Sequence, residues 1–212
     1  MAVFDYKKQF IELYQPSATP SAIEVPDMIF LQVDGRGNPN DEAGEYPSAV
    51  ELIYSLSYAI KMLPKSGRTP AGYFDYVVPP LEGLWWLEND GDIDFRNKGK
   101  YCWTSMIRQP EFVTAGVFSE ACERAFSKKP HLNLEKARLV SFAEGLCVQC
   151  MHIGPFDDEP ATIGRMKAFM EESDLICELS DTRRHHEIYL SDPRKTAPDK
   201  VMTILRHPVR KE

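Results

Sequence analysis

The sequence predicts an α+β fold of duplicated β-α-β-β half-domains, in which a strand, a helix and two further strands occur twice. Three observations favour it: apolar strands that end in glycine, helical segments with proline in the first turn, and a later strand in each half that carries an acidic residue among aromatic ones. The halves are predicted at roughly residues 26–105 and 106–212, after an N-terminal arm at residues 1–25. The alternative is a coincidental alternation of helices and strands, because the halves share few letters.

The first half begins with the segment MIFLQVDGRGNP, which predicts a strand from Met28 that ends at two glycines suited to a tight turn. A helix should follow, with Pro47 in its first turn and apolar residues at helical spacing until Pro64. The segment YFDYVVPPLEGLWWLE predicts strand, turn and strand. After the charged loop NDGDIDFRNKGK, the segment YCWTSMIR predicts another strand.

The second half begins with EFVTAGVFSEACERAFSKK, a predicted helix with Val117, Ala121, and Ala125 or Phe126 facing inward. The segment ARLVSFAEGLCVQCMHIGPF predicts a hairpin that turns at Glu144-Gly145. A helix over EPATIGRMKAFMEES, a strand HHEIYL and a closing strand VMTILRHPV complete the half. Between the halves, the segments DYVVPP and EIYLSDP are the predicted matching strands.

Composition excludes several classes of protein. The chain has 25 Lys and Arg against 32 Asp and Glu, a net charge of -7, so nucleic acid is not an expected partner. The N-terminus lacks the pattern of a signal peptide and no apolar run is long enough to span a bilayer, which predicts a cytoplasmic protein with no membrane partner. Its 5 cysteines are odd in number and scattered, which favours reduced thiols.

The strand HHEIYL carries the most informative polar residues. Because alternate side chains of a strand share a face, His185, Glu187 and Tyr189 should lie together, with His186 and Ile188 on the other face. If the apolar face packs on a helix, the other half could cover Glu187 and form a pocket. The alternative is a solvated strand face, which is the usual place for a lone glutamate.

Aromatic residues are concentrated between positions 85 and 103. Trp85 and Trp86 should point to opposite faces of an extended segment, so only one of them should enter a given cavity. Tyr101 and Trp103 are two residues apart on a strand and should project together. Packing in the core is the alternative for each of them. This concentration of tryptophan nevertheless predicts an aromatic wall.

Metal ions and nucleotide cofactors are not expected. Cys147 and Cys150 form a CxxC without a second pair or suitably spaced histidines, and their thiols would point apart on a strand. The adjacent residues His185, His186 and Glu187 diverge for the same reason, and the chain has no HExxH motif. It also has no P-loop, GxSxG or GxGxxG motif.

The segments VDGRGNPN, YVVPPLEGLWW and HHEIYLSDPRKTAPDKVMTILRHPV resemble the GyrI-like small-molecule-binding family, in particular its stand-alone members. The resemblance extends over nearly the whole chain. It implies a duplicated fold with pseudo-twofold symmetry and a ligand cleft between the halves. In the family's multidrug-sensing regulators, a buried glutamate on the second half's central strand meets cationic aromatic drugs, and Glu187 is at the matching position. Those regulators carry a preceding helix-turn-helix domain that the short arm here does not provide, so a role in transcription is not expected.

The resemblance also implies a function. One stand-alone branch is similar to enzymes that hydrolyse the cyclopropane ring of DNA-alkylating cyclopropanoid antibiotics inside an aromatic cage, and the GLWW run with Glu187 favours this branch. As a hydrolase, the protein would use Glu187 to orient or deprotonate water and Tyr189 or His185 to stabilise the developing oxyanion. Trp85, Trp86 and Trp103, with Tyr101 beside them, would stack a flat hydrophobic ligand.

The alternative is a protein that binds and sequesters such a ligand without turnover, by charge pairing and cation-π contacts. A third class, an inhibitor that binds another protein, would need a surface patch that the sequence does not identify. The sequence predicts no particular oligomeric state.

Overall fold

The computed structural model describes residues 3–88 and 98–212. Its helices are α1 Tyr6–Gln9, α2 Ile11–Tyr14, α3 Glu45–Lys61, α4 Ala115–Lys128 and α5 Glu159–Glu172. Its strands are β1 Ser21–Arg36, β2 Leu81–Leu87, β3 Tyr101–Gln109, β4 Ala137–Ile153, β5 Leu175–Cys177, β6 His185–Tyr189 and β7 Met202–Lys211. Short 3-10 turns occur at Leu63–Ser66, Lys98–Lys100, Leu134–Lys136, Phe156–Asp158 and Pro198–Lys200. None of the helices in this part of the chain has the length and apolar character of a membrane span.

The strands form one antiparallel sheet that closes on itself. Their order is β4-β1-β3-β2-β6-β7-β5, and β4 also pairs with β7, so six strands make a ring and β5 extends it beside β7. The mixed α+β content is therefore confirmed. The order strand, helix, strand, strand occurs as β1-α3-β2-β3 and as β4-α5-β6-β7, with α4 between the two sets and β5 inserted in the second. Symmetry between the two sets stays a prediction.

The three long helices form where proline and apolar spacing predict them. In α3 the buried positions include Ala49, Ile53, Leu56 and Ile60, which recur at helical spacing and pack into the core. The side chain of Thr114 caps α4 by accepting a hydrogen bond from the backbone N–H of Val117. In α4 the inward residue is Ala125, because Phe126 is 51% exposed.

The predicted hairpin at Glu144-Gly145 is wrong, because β4 continues through both residues. Gly145 has φ +70°, which bends the strand without reversing it. The register with β1 passes from Val25 opposite Gly145 to Asp27 opposite Ala143, so Glu144 faces Pro26, which has no N–H to donate. The long neighbour β1 pairs on both sides of this irregularity and keeps β4 extended.

Two further predictions differ from the structure. Residues 73–78 do not form a strand; Tyr76 makes an isolated bridge to Phe4, and two prolines follow that cannot donate ladder hydrogen bonds. The segment DYVVPP is therefore not the strand of the first half that matches EIYLSDP; in the order of elements, β2 holds the place that β6 holds in the second half. The predicted arm is also packed against the rest of the chain, since Tyr6 and Tyr14 are buried and β1 already begins at Ser21. Most of the predicted charged loop, residues 89–97, lies outside the described residues.

The ring of strands has two faces that differ in their coverings. We call the face that carries α3 and α5 the helix face. The paired residues on it include Gly83, Trp85, Trp103 and Glu187. We call the other face the enclosed face; it carries Glu82, His186 and Arg206, and α2 covers part of it. The register of β6 therefore assigns neighbouring residues to two different environments.

The enclosed face holds a buried ion cluster. His186 on β6 contacts two carboxylates, with Nε2 3.0 Å from Glu82 Oε2 and Nδ1 3.0 Å from Glu144 Oε2. Arg206 on β7 donates from Nη1 to Glu144 Oε2 at 3.1 Å. All four side chains are buried. Two carboxylates therefore meet two cationic side chains, so the cluster can balance its own charge out of water.

Other contacts complete this cluster and connect it to the N-terminus. Arg206 donates to Gln149 Oε1 and to the backbone carbonyl of Leu13, both from Nη2. Tyr14 donates its hydroxyl hydrogen to Glu82 Oε1 at 3.2 Å. The N-terminal residues thus supply hydrogen-bond partners to groups that would otherwise be buried without them.

The ion cluster shifts the pKa values of two of its members. Burial alone would lower the pKa of His186, but Glu144 and Glu82 outweigh burial and raise it to about 9. Burial would raise the pKa of Glu144, but His186 and Arg206 outweigh it and hold the pKa at about 2. Both groups are therefore charged at neutral pH.

These shifts predict how stability depends on pH. The pKa of His186 lies above its ordinary 6.5, so its stabilising contribution is complete below pH 6.5 and is lost as the pH rises through about 9. The pKa of Glu144 lies below its ordinary 4.5, so its contribution is complete above pH 4.5 and is lost as the pH falls through about 2. The His186 contribution is on the order of 3 kcal/mol. Thermal unfolding measured from pH 4 to 10 should show the alkaline decline, and His186→Gln should remove most of it. Equal declines in both proteins would contradict the assignment to His186.

Candidate functional site

The pairing of β2 with β3 and β6 brings the predicted site residues together on the helix face. Gly83 lies opposite Glu187 and Trp85 lies opposite His185 in the pairing of β2 with β6. Trp85 also lies opposite Trp103 in the pairing of β2 with β3. Side chains of directly opposed residues share a face, so a carboxylate, an imidazole and two indoles meet at one junction. That junction joins residues from both predicted halves.

Glu187 accepts hydrogen bonds at both carboxylate oxygens. His185 Nε2 lies 3.1 Å from Oε1, and the Tyr189 hydroxyl donates to Oε2 at 2.8 Å. The same hydroxyl accepts from Trp85 Nε1 at 2.8 Å. The Glu187 side chain is 12% exposed, so it is neither on an open surface nor sealed from solvent. Strand alternation correctly predicts that His185, Glu187 and Tyr189 lie together.

A second carboxylate, from Glu159, approaches Glu187 from the first turn of α5. Ligand atoms of Glu159, His185 and Glu187 all lie within 4.8 Å of one another. Glu159 is 1% exposed, and its Oε1 has no hydrogen-bond partner among the described residues. Burial raises the pKa of Glu159 well above its ordinary value, and the nearby Glu187 raises it further. Both effects favour the protonated form of Glu159.

The two carboxyl groups differ because their hydrogen-bond partners differ. Glu187 has hydrogen-bond partners at both oxygens, His185 and Tyr189. Glu159 has no donor at Oε1 within the described chain, so its neutral form is favoured. Neighbouring carboxyl groups in such unequal environments can divide the roles of general acid and general base. Sequence reasoning missed Glu159, because an acidic residue at the start of a helix is common and gives no local signal.

Trp85, Trp103 and Tyr46 form a cluster of contacting rings, which we call the aromatic wall. The Tyr46 ring, from the first turn of α3, lies 5.6 Å from the Trp85 ring and 5.1 Å from the Trp103 ring, measured between centroids. Tyr101 packs edge-on against Trp85 at 5.8 Å. Burial, followed by the charge of Glu187, raises the pKa of Tyr46. Tyr46 is the wall residue that sequence reasoning missed, because its place depends on how α3 packs on the sheet.

Trp86 does not join this wall. It follows Trp85 on β2 and lies opposite Cys102, so it points away from the helix face. The guanidinium carbon of Arg184 lies 4.8 Å from the centroid of the Trp86 ring, a cation-π contact. The expectation that only one of the adjacent tryptophans enters a given site therefore agrees with the geometry, and Trp85 is the one that does.

Glycines let the two tryptophans lie close to the sheet. A Cβ atom at Gly83 would lie 2.6 Å from Trp85 Nε1 and 3.0 Å from the Tyr189 hydroxyl. A Cβ atom at Gly35 would overlap the Trp103 ring. Both positions therefore require the absence of a side chain.

The trio of Glu159, His185 and Glu187 has the ligand types of a divalent cation site. The Nε2 atom of His185 faces Glu187 Oε1 at 3.1 Å, so a cation could take both atoms only if that hydrogen bond broke. As it stands, the geometry is that of a hydrogen-bonded cluster, which fits acid and base chemistry better than metal coordination.

A groove of about 710 Å³ lies elsewhere, between α3 and α4. Its walls include Tyr54 and Tyr58, and Lys129 at its rim pairs with Glu51. It contains none of the buried carboxylates or their partners. We therefore place the candidate site at the junction of β2 and β6.

Comparison with known proteins gives a family and several similar structures. Residues 18–210 match the model of the GyrI-like small molecule binding domain. An uncharacterized conserved protein from Listeria innocua is 48% identical, with a TM-score of 0.91, over 98% of this chain and 100% of that chain. Two hydrolases from the same organism are 45% and 44% identical, with TM-scores of 0.91 and 0.89, over 99% and 98% of this chain and 100% of each of theirs. No curated protein matches the sequence.

The close approach at Gly83 gives a test of the wall. Gly83→Ala should displace the Trp85 indole, break its hydrogen bond to Tyr189 and destabilise the protein by about 1–3 kcal/mol, as overpacking typically does. Tryptophan fluorescence and thermal unfolding measure the two effects. The matched control is Gly164→Ala in α5, where a Cβ atom would meet nothing within 4 Å and alanine favours the helix. Equal stability of the two variants would show that Trp85 does not need this contact.

Proposed function

We propose that this chain, which belongs to the GyrI-like small molecule binding domain family, binds a planar hydrophobic molecule against its aromatic wall and hydrolyses it. The proposed reaction is opening of the cyclopropane ring of a DNA-alkylating cyclopropanoid, which would detoxify it. The observation that carries the proposal is the close pair of carboxyl groups Glu159 and Glu187 beside Trp85, of which Glu159 is buried with a raised pKa and Glu187 has hydrogen-bond partners at both oxygens. The two similar hydrolases support a hydrolytic reaction.

The chemistry needs one water and no cofactor. The oxygen of water attacks the cyclopropane CH₂, the ring carbon–carbon bond breaks, and its electron pair moves through the conjugated ring to the carbonyl oxygen. Glu187 removes a proton from the attacking water, and Glu159 gives its proton to the oxygen that becomes a phenol. Exchange with solvent then returns the proton from Glu187 to Glu159. The net change is the addition of one water to the substrate.

Tyr189 and His185 orient the base in this proposal. Both donate to Glu187, so they hold the carboxylate in one position. Burial and the charge of Glu187 raise the pKa of Tyr189, so its hydroxyl stays a donor. The oxyanion role is better assigned to Glu159, whose proton is not engaged at Oε1 with any described residue.

The wall supplies binding and an orientation for the ring. The Tyr46 ring lies 5.6 Å from the Trp85 ring and 5.1 Å from the Trp103 ring, measured between centroids. A flat ligand would add one more ring to this cluster, either stacked or edge-on. Burial excludes bulk water from the reacting atoms, which strengthens the electrostatic effect of both carboxyl groups.

Sequestration without turnover is the second candidate function. An ionised carboxylate beside tryptophan rings also recognises a cation through charge and cation-π attraction, and Glu187 with Trp85 fits that description. This candidate gives no role to Glu159. The protonated second carboxyl group therefore favours hydrolysis.

The first prediction for this function is hydration of a duocarmycin-type cyclopropanoid. The wild-type protein should convert the compound to its ring-opened alcohol, and Glu187→Gln should lower turnover by about 10²–10⁴-fold, the usual effect of losing a general base, while binding persists. Chromatography with mass detection measures the product, and fluorescence titration measures binding. A wild-type protein that binds the compound but gives no hydration above a protein-free control would leave sequestration as the function.

Glu159→Gln provides a separate test of the acid. Turnover should fall by about 10²-fold or more because the proton donor is lost, whereas the amide keeps the shape of the carboxyl group. A second cyclopropanoid with an electron-poor ring needs less protonation, so Glu159→Gln should lower its turnover less than Glu187→Gln does. If Glu159→Gln lowers the turnover of this activated compound and of the duocarmycin-type compound equally, the acid role of Glu159 is wrong.

Substitutions of the adjacent residues Trp85 and Trp86 test the role of the wall in binding. Trp85→Phe should weaken binding of a planar aromatic compound by about 5-fold to 10-fold, as expected from the loss of a stacking contact worth about 1 kcal/mol. Trp86→Phe is the matched control, because Trp86 lies on the opposite face of the same strand. Isothermal titration calorimetry gives both affinities. The wall assignment is wrong if the two variants bind equally well or if Trp86→Phe is the weaker.

A further inference from the structure

The second nitrogen of His185 has a partner that the proposed chemistry does not use. His185 Nδ1 lies 2.7 Å from Nε2 of His207 on β7. The two rings meet edge to face, with centroids 4.9 Å apart. His207 is 3% exposed, and its Nε2 contacts His185 rather than Glu187. On its far side, His207 Nδ1 lies 4.0 Å from the sulfur of Cys177 on β5.

With Glu187 as the acceptor at one end, the contacts from Glu187 through His185 and His207 to Cys177 allow one direction for each hydrogen bond. An acceptor oxygen at Glu187 Oε1 requires a hydrogen on His185 Nε2. A neutral His185 then has a lone pair at Nδ1, so the hydrogen between the two rings must belong to His207 Nε2. His207 is left with a lone pair at Nδ1, facing the Cys177 thiol, which is a weak donor. One assignment therefore satisfies all three contacts.

The environment of His207 agrees with a neutral ring. Burial, then the repulsion that a protonated His185 would exert, and then the charge of Lys167 together lower the pKa of His207 to about 3. A neutral imidazole carries one hydrogen, so it can donate to His185 or to the sulfur, but not to both.

We propose that His207 is a positioning residue: its Nε2–H donates to His185 Nδ1 and so holds His185 as the tautomer whose Nε2–H points at Glu187. The kinetic part of this inference rests on the proposed function, whereas the tautomer does not. Without the His207 donor, His185 can exchange tautomers or rotate, and the carboxylate loses one of its two fixed donors. A buried ring with no contact to Glu187 acts on it only through His185.

The test uses two substitutions of His207 that differ in one hydrogen bond. His207→Leu fills similar space without a donor, whereas His207→Gln can place an amide N–H near the position of Nε2. Imidazole nitrogens labelled with ¹⁵N report the tautomer of His185 directly. We expect the neutral Nε2–H form in the wild type and in His207→Gln, and a mixture of forms in His207→Leu. A His185→Gln protein assigns the signals.

The kinetic readout separates positioning from simple packing. His207→Leu should lower kcat by about 10-fold to 100-fold, the range typical of removing the partner that orients a histidine, with KM nearly unchanged. His207→Gln should recover most of that loss. Thermal unfolding of both variants controls for stability. If His207 served only in packing, the substitutions would change thermal stability, and His207→Gln would not restore kcat.

Three results would overturn the proposal: an Nδ1–H tautomer of His185 in the wild type, a doubly protonated His185, or a leucine variant with wild-type tautomer and kcat. If His207→Leu does not fold, the wild-type and glutamine spectra still decide the tautomer. If the wild-type protein does not hydrate the cyclopropanoid, the proposed function fails while the nitrogen spectra still test His207.

Discussion

The register of β6 is the constraint on which the rest of the molecule depends, and His186 fixes it. This side chain meets a carboxylate from β2 on one nitrogen and a carboxylate from β4 on the other, inside the ring of strands. A slip of one residue would take His186 to the helix face and bring Glu187 to the ion cluster, where its charge would meet Glu82 and Glu144. Buried ion pairs often add little net stability, since desolvation offsets their attraction. We therefore interpret this cluster as a device that specifies register and thereby places the site.

Strand β6 contributes side chains both to the ion cluster on the enclosed face and to the candidate site on the helix face. His185 and Glu187 flank His186 in sequence and project to the opposite face, where α3 and α5 bring Tyr46 and Glu159. The buried carboxyl groups of the two faces are stabilised in different ways. On the enclosed face, opposite charges pair completely. On the helix face, Glu187 has hydrogen-bond donors, whereas burial raises the pKa of Glu159, so the two carboxyl groups are unequal.

Sequence reasoning identified what is local and missed what depends on packing. Proline and apolar spacing predicted α3 and α5, and strand alternation predicted that His185, Glu187 and Tyr189 share a face. The Glu144-Gly145 pair looked like a hairpin turn because the signal is local, whereas the long β1 beside it keeps the chain extended. Glu159 and Tyr46 gave no signal, because each begins a helix whose docking on the sheet decides its neighbours. His207 likewise stood in a closing strand with no pattern that linked it to His185.

The difference between a binder and a hydrolase on this scaffold reduces to the second carboxyl group. A single ionised glutamate beside indole rings attracts a cation and holds it, but it has no proton to give to a leaving oxygen. In the proposed reaction Glu159 at the start of α5 changes this, because burial and the neighbouring Glu187 raise its pKa and favour the form that can give a proton. The proposed division of roles also depends on His185 and Tyr189, which donate to Glu187. If those donors were lost, the two carboxyl groups would compete for the proton, and the roles of acid and base would no longer belong to fixed residues.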